Sequence, residues 1–138
     1  MMNGDEFFER YEAGERDFSG IDLSGIDLEE MLLENLNLSG ANLSDANICE
    51  ASLDDVNLSG ANLSGANFSE AGLRDVNLTK AILTNTFFGE PCFRRVNLTG
   101  VDLSEANILW IEHQNRIKGV TLCNTLMPDG TIRNDHCI

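Results

Sequence analysis

Chemistry needs reactive side chains at workable spacing, and this 138-residue chain offers few. Its two histidines, His113 and His136, stand apart in the C-terminal quarter, where a lone imidazole is ordinarily a solvated surface group. There is no P-loop, dinucleotide fingerprint, G-x-S-x-G or H-E-x-x-H. The four cysteines, Cys49, Cys92, Cys123 and Cys137, lack zinc-site spacing. Carboxylates are the abundant reactive group, with 23 acidic against 9 basic residues and a formal charge of -14. Glu30, Glu50, Glu70 and Glu90 recur at intervals of twenty. Such a series could dock a basic partner. As a cation site it lacks the six to eight converging oxygens that tight Ca²⁺ binding needs. The residues therefore point to no catalysis, no cofactor and no metal.

The same acidity, with a pI near 4.2, argues against nucleic acid or an anionic membrane as a direct partner. No apolar stretch approaches the ~20 residues of a membrane span. The leading segment MMNGDEFFERYEAGERD has neither the basic nor the apolar region of a signal peptide, so a cytoplasmic location is expected. Hydrophobic residues, at 42%, suffice for the core of one domain, and aromatics, at 7%, leave Leu, Ile and Ala to build it.

What must position these groups is a repeat of five. From Arg16 to Leu109 every fifth residue, from Phe18 through Leu23, Leu28 and Leu33 to Leu103 and Ile108, is Leu, Ile or Phe. Two places earlier stands Ala or Val in most units, and one place earlier Asn or Asp dominates. Ser, Gly, Thr or a charged residue follows, so the unit reads A-N-L-S-G. A helix of 3.6 residues per turn would smear this period around its circumference. A plain strand would flip faces at each repeat. A chain that turns a corner once per unit fits, with the Ala and Leu positions inward and the Asn and Ser-Gly positions at turns. Such units bury a core only by stacking into a solenoid.

The runs SGANLSDANI and NLSGANLSGANF resemble the pentapeptide repeat family. The resemblance covers residues 16–109 and implies an all-β solenoid, a right-handed quadrilateral β-helix with four pentads per square coil. The segment from Tyr11 to Phe18 and the tail from Leu122 to Gly130 are similar to those of cyanobacterial members. Membership implies a scaffold and leaves the activity open.

With twenty residues per coil, positions twenty apart stack about 4.8 Å apart. The first two corners become hydroxyl ladders, beginning Ser19-Gly20 and Ser24-Gly25. The third stacks Glu30, Glu50, Glu70 and Glu90. The fourth carries Glu34, Asp54, Asp55 and Asp75 but turns basic upward, at Arg74, Arg94 and Arg95. These eight carboxylates form a candidate interaction edge. On the fourth side the position before the central residue is Leu32, Ser52, Gly72 and Cys92, never Asn or Asp. A different corner is expected there, because the Asx hydrogen bond is missing.

Both ends depart from the repeat. Asn3 with Glu6 resembles a capping box, Gly14 suits a helix end, and Phe7, Phe8 and Tyr11 fall on one face. A helix over residues 4–13 is therefore expected within an N-terminal cap of residues 1–15. The β-helix follows over 16–109, then a loop and irregular C-terminal coil over 110–138. Trp110, His113 and Arg116 belong to the loop, a candidate protrusion for a partner or a packed lid. The pattern resumes at Val120-Thr121-Leu122, one residue out of phase, and Leu122, Met127 and Ile132 keep the spacing of five. Related members with a similar tail suggest a Cys123–Cys137 bracket, whereas a cytosol would keep the pair reduced. Both states stay open.

The functional expectation is a non-catalytic scaffold that binds a protein partner and is itself a monomer. A second reading is a DNA mimic, since some family members resemble B-DNA and bind DNA gyrase. A third is an ice-binding hydroxyl plane.

Overall fold

The structure, a computed structural model, describes residues 1–112 and 115–138. The chain opens with one helix, α1 (Gly4–Glu12), one residue shorter than the spacing predicts because Ala13 serves as its C-cap. The Asn3 side chain accepts from the Glu6 amide at 2.8 Å, and Asp5 and Glu6 place negative charge at the positive end of the helix. Phe7 is fully buried, its ring 4.7 Å from that of Phe18, so α1 closes the bottom of the core. Phe8, expected on the same face, is 48% exposed. Residues i and i+4 share a helical face, and Phe7 with Tyr11 does so, whereas a neighbour one residue on is rotated about 100° away.

Above the helix the chain winds as a right-handed quadrilateral β-helix. One side is a parallel sheet of β1 (Leu32–Asn37), β2 (Ser52–Asn57), β3 (Gly72–Asn77), β5 (Cys92–Arg94) and β7 (Ile117–Lys118). Leu33 pairs with Leu53, Leu53 with Leu73 and Leu73 with Phe93, each one coil of twenty residues further on. The other sides are held by single parallel bridges, such as Asp22 with Asn42 and Asn42 with Asn62. The short strands β4 (Phe87–Gly89) and β6 (Asn107–Ile108) add a pair on the third side.

The corners explain the residue code. At three of them the amide of the small residue donates to the carbonyl three residues back, as from Ala41 to Leu38 at 3.1 Å and Ala61 to Leu58 at 3.0 Å. The preceding Asn or Asp folds its side chain onto the amide two residues on, as Asn62 Oδ1 does onto Ser64 at 3.0 Å. The second corner residue is left-handed, and Gly20, Gly40, Gly60 and Gly100 meet that demand at no steric cost. Glu30, Glu50, Glu70 and Asp75 adopt the same conformation with a side chain attached. The fourth side differs: where Leu32, Ser52 and Gly72 replace Asn or Asp, strand pairing continues on both sides of the corner, while Asn35, Asp55, Asp75 and Arg95 still turn it in the left-handed conformation. Without an Asx acceptor at this corner, the backbone before and after the turn pairs with the neighbouring coils instead.

Inside, the Leu, Ile and Phe column and the small Ala and Val column form one continuous buried cluster. Phe68 stacks on Phe88 at 4.7 Å, and Phe88 meets Phe93 edge-on at 5.6 Å. Among the described residues Thr86 and Thr125 are the buried polar side chains, and each hydroxyl donates to a carbonyl, of Leu83 and Leu98 respectively, at 2.8 Å.

The top is less regular. Phe93 pairs with Ile117, 24 residues on instead of 20, so four additional residues lie between Ile108 and Ile117. The repeat thus resumes at Ile117, earlier than the Val120 expected from sequence. Thr121 then pairs with Asn97, and Leu126 with Asp102. Leu122 and Met127 are buried as their spacing predicts, but Ile132 is 65% exposed. It lies in β9 (Ile132–Arg133), which turns back antiparallel onto β8 (Thr125–Leu126) instead of continuing the coil. Gly130, with φ of +86°, makes the reversal.

Candidate interaction surface

The third corner brings Glu30, Glu50 and Glu70 into one exposed column, each in the left-handed conformation, with the Glu30 and Glu50 amides donating to the coil above at Cys49 and Ser69. Glu50 is held above the ordinary carboxylate range, first by contact with the Glu30 carboxyl and its charge, then by Glu29 and Glu70. Among the described residues no Lys or Arg lies within ion-pair distance of these four. Glu90 leaves the column. A bulge at Gly89 moves the left-handed residue one place earlier, and Pro91 follows. Its carbonyl instead accepts from Arg116 Nη2 at 2.9 Å, tying this corner to the upper loop.

On the fourth side the sheet sets Glu34, Asp54, Arg74, Arg94 and Lys118 in register. Beside them, Asp75 accepts from Arg95 in two-pronged fashion, at 2.6 Å from Nε and 2.9 Å from Nη2. That pairing lowers the Asp75 carboxyl and raises the Arg95 guanidinium. Asp75 is therefore already engaged, unlike Asp54 and Asp55, which make no ion pair among the described residues.

In the hydroxyl ladders many side chains turn inward onto their own corner. Ser19 Oγ donates to Asp17 at 2.7 Å, Ser39 to Asn37 at 2.7 Å and Thr99 to Asn97 at 2.6 Å. These protons are spent within the fold. The Ser19 hydroxyl and amide hold Asp17 below the ordinary value, and Ser24 does the same for Asp22.

The loop at the top folds back onto the solenoid. Trp110 is partly buried, edge-on to Phe93 at 6.4 Å, and its Nε1 donates to Glu112 at 2.9 Å. That bond first, with Arg133 adding to it, lowers the Glu112 carboxyl. Arg133 reaches both Glu112 and Asp135. His113 lies outside the described residues. Cys123 and Cys137 are bonded to each other, and His136 Nδ1 accepts from the Leu122 amide at 3.0 Å. The tail is thereby clamped on the last coil. Cys49 and Cys92 are free thiols on different sides.

Lys118 was not among the charged positions anticipated on the fourth side. Its signal is the four-residue slip after Ile108, which only the pairing of Arg94 with Lys118 makes explicit. Among the described residues no His, Cys, Asp or Glu cluster is arranged to hold a metal ion, and no helix is long and apolar enough to cross a membrane.

Residues 17–55 and 51–89 match the pentapeptide repeats family in eight copies. The chain belongs to the pentapeptide repeat family. No curated protein sequence matches it. Among solved structures, this pentapeptide repeat protein is similar to a trypsin-treated variant of QnrB1, a plasmid-mediated fluoroquinolone resistance protein, with a TM-score of 0.68 at 15% identity. The match covers 80% of this chain and 57% of QnrB1, so the chain spans little more than half the length of that relative. A pentapeptide repeat protein of the Arabidopsis thaliana thylakoid lumen is 27% identical over 87% of this chain and 70% of its own, with a TM-score of 0.40. HetL, involved in heterocyst differentiation regulation in the cyanobacterium Nostoc sp. strain PCC 7120, is 17% identical over 96% of this chain and 100% of its own, with a TM-score of 0.38.

Proposed function

We propose that this protein is a non-catalytic scaffold that docks a basic protein partner on its acidic third corner. The observation that carries the reading is the exposed left-handed column of Glu30, Glu50 and Glu70, with which no Lys or Arg among the described residues forms an ion pair. A partner's Lys or Arg set between these levels would replace repulsion by attraction and add charge-assisted hydrogen bonds. Among the described residues the interior is one continuous cluster of apolar side chains, which supports a scaffold reading. Solenoids of this kind differ mainly on their surfaces, where their binding is built.

The test is capture from a host lysate with wild type and with Glu30→Gln/Glu50→Gln/Glu70→Gln, followed by identification of the bound proteins. A basic protein held by wild type alone, and released by salt, is the expected result. Recovery of DNA gyrase or another DNA-binding protein by the same corner would make the edge a mimic of duplex DNA. Identical captures by the two forms would overturn the assignment of the corner.

A further inference from the structure

The charge of this chain is sorted along the solenoid axis. Residues 1–73 hold 16 acidic and 2 basic side chains, whereas residues 74–138 hold 7 of each. On the fourth side this gradient is laid out on a parallel sheet of five strands, the longest run of regular pairing in the molecule. One column reads, from bottom to top in register, Glu34, Asp54, Arg74, Arg94, Lys118, with Asp54 and Arg94 half-buried and the others exposed.

That order is its own complement. A two-fold axis along the strand direction through Arg74 reverses the levels and keeps each column opposite itself. Glu34 then faces Lys118 of the second copy, Asp54 faces Arg94, and both pairs occur twice. In the next column Asp55 comes opposite Arg95, which it would share with Asp75. The outer levels meet opposite charge, while at the central level Arg74 and Asp75, 3.9 Å apart within one chain, each meet their own counterpart, so that level is neutral in sum.

We propose that this sheet face is an isologous, antiparallel self-association surface whose partner is a second copy of the chain. This replaces the monomer that the sequence alone leads one to expect. It is independent of the docking role, because the Glu30, Glu50 and Glu70 column stands at the neighbouring corner. Three strands of six residues, one of three and one of two, about 4.8 Å apart at about 3.3 Å per residue, give at most roughly 350 Å² per copy along this ridged side. That is below the ~800 Å² per partner of a standard interface. The dimer is therefore weak, reversible and held mainly by charge.

Sedimentation equilibrium at low ionic strength tests this directly. The expected result is a dimer with a dissociation constant on the order of 10–100 μM, weakening about tenfold or more as salt rises to about 0.3 M. Two variants supply the decisive control: Glu34→Lys/Asp54→Lys and Arg94→Glu/Lys118→Glu. Each alone sets like charges opposite each other and is monomeric, while an equimolar mixture of the two restores a heterodimer. Because Arg94 also bonds the carbonyls of Phe93 and Asn115, Lys118→Glu paired with Glu34→Lys repeats the test without touching that contact. Circular dichroism confirms that each variant is folded. A monomer at all salt concentrations, a dimer indifferent to charge reversal, or a mixture that stays monomeric would each overturn the proposal.

Discussion

The Tyr11 hydroxyl accepts a hydrogen bond from the Glu34 backbone amide at 3.0 Å. Glu34 lies on the lowest strand of the parallel sheet, where no coil beneath supplies a carbonyl, and a side chain from α1 takes that place. The same tyrosine is held from the other side by Arg16, whose guanidinium lies 3.9 Å over its ring and donates to its carbonyl at 2.8 Å. Tyr11→Phe keeps the ring and the stacking but removes the acceptor. A loss of about 1 kcal/mol in denaturant unfolding is expected, with faster hydrogen exchange at the Glu34 amide. An unchanged exchange rate at that amide would show that the hydroxyl does not close the sheet.

The aromatic stack in the upper coils is the least replaceable part of the core. Phe88 touches Phe68 below and Phe93 beside it, and Phe93 in turn meets Trp110. Phe88→Ala should cost about 3–5 kcal/mol. Since each coil contacts only its neighbours, the loss should uncouple the top from the bottom. Trp110 fluorescence is then expected to change at lower denaturant than circular dichroism. Coincident transitions would mean that the whole solenoid unfolds as one unit.

The response to pH has two opposite components. Asp17 and Asp22 are lowered from 3.8 by their serine partners, so their contribution is complete above that value and is lost as pH falls through the lowered one. Glu50 is raised from 4.5, so its contribution is present below that value and is lost as pH rises through the raised one. Glu50→Gln should therefore raise the thermal midpoint at neutral pH and low salt, with the gain shrinking in acid and in high salt. Asp17→Asn/Asp22→Asn should keep the corners, because Asn serves at the equivalent positions above, while removing part of the acid sensitivity. Scans of Tm from about pH 3 to about pH 8 read both effects.

The C-terminal clamp predicts a redox dependence. The Cys123–Cys137 bond closes a loop of 14 residues around the β8–β9 hairpin. Loops of that size are stabilised by about 3 kcal/mol in the chain-entropy account. Reductant or Cys137→Ser should lower the thermal midpoint and speed hydrogen exchange at Leu126 and Met127 before it affects the lower coils. An unchanged midpoint on reduction would mean that His136 and Asn134, which bond the Leu122 and Asn124 amides, hold the tail by themselves.

The sequence by itself determined the solenoid. A strict period of five, with Leu inward and Asn before it, admits one local answer at each corner, and the corners compel the coil. The different fourth side was legible for the same reason, since Leu32, Ser52, Gly72 and Cys92 supply no Asx acceptor. The tertiary structure alone decided where the register slips. The bulge at Gly89 removes Glu90 from its column, and four extra residues after Ile108 bring Lys118 above Arg94. The exposure of Ile132, the Asp75–Arg95 pair and the Tyr11–Glu34 bond were likewise settled by distant partners. The physical reason is common to all of these. A corner is closed by hydrogen bonds within five residues, whereas the ends and the charge columns depend on contacts across a coil or more, which one residue inserted or displaced can redirect.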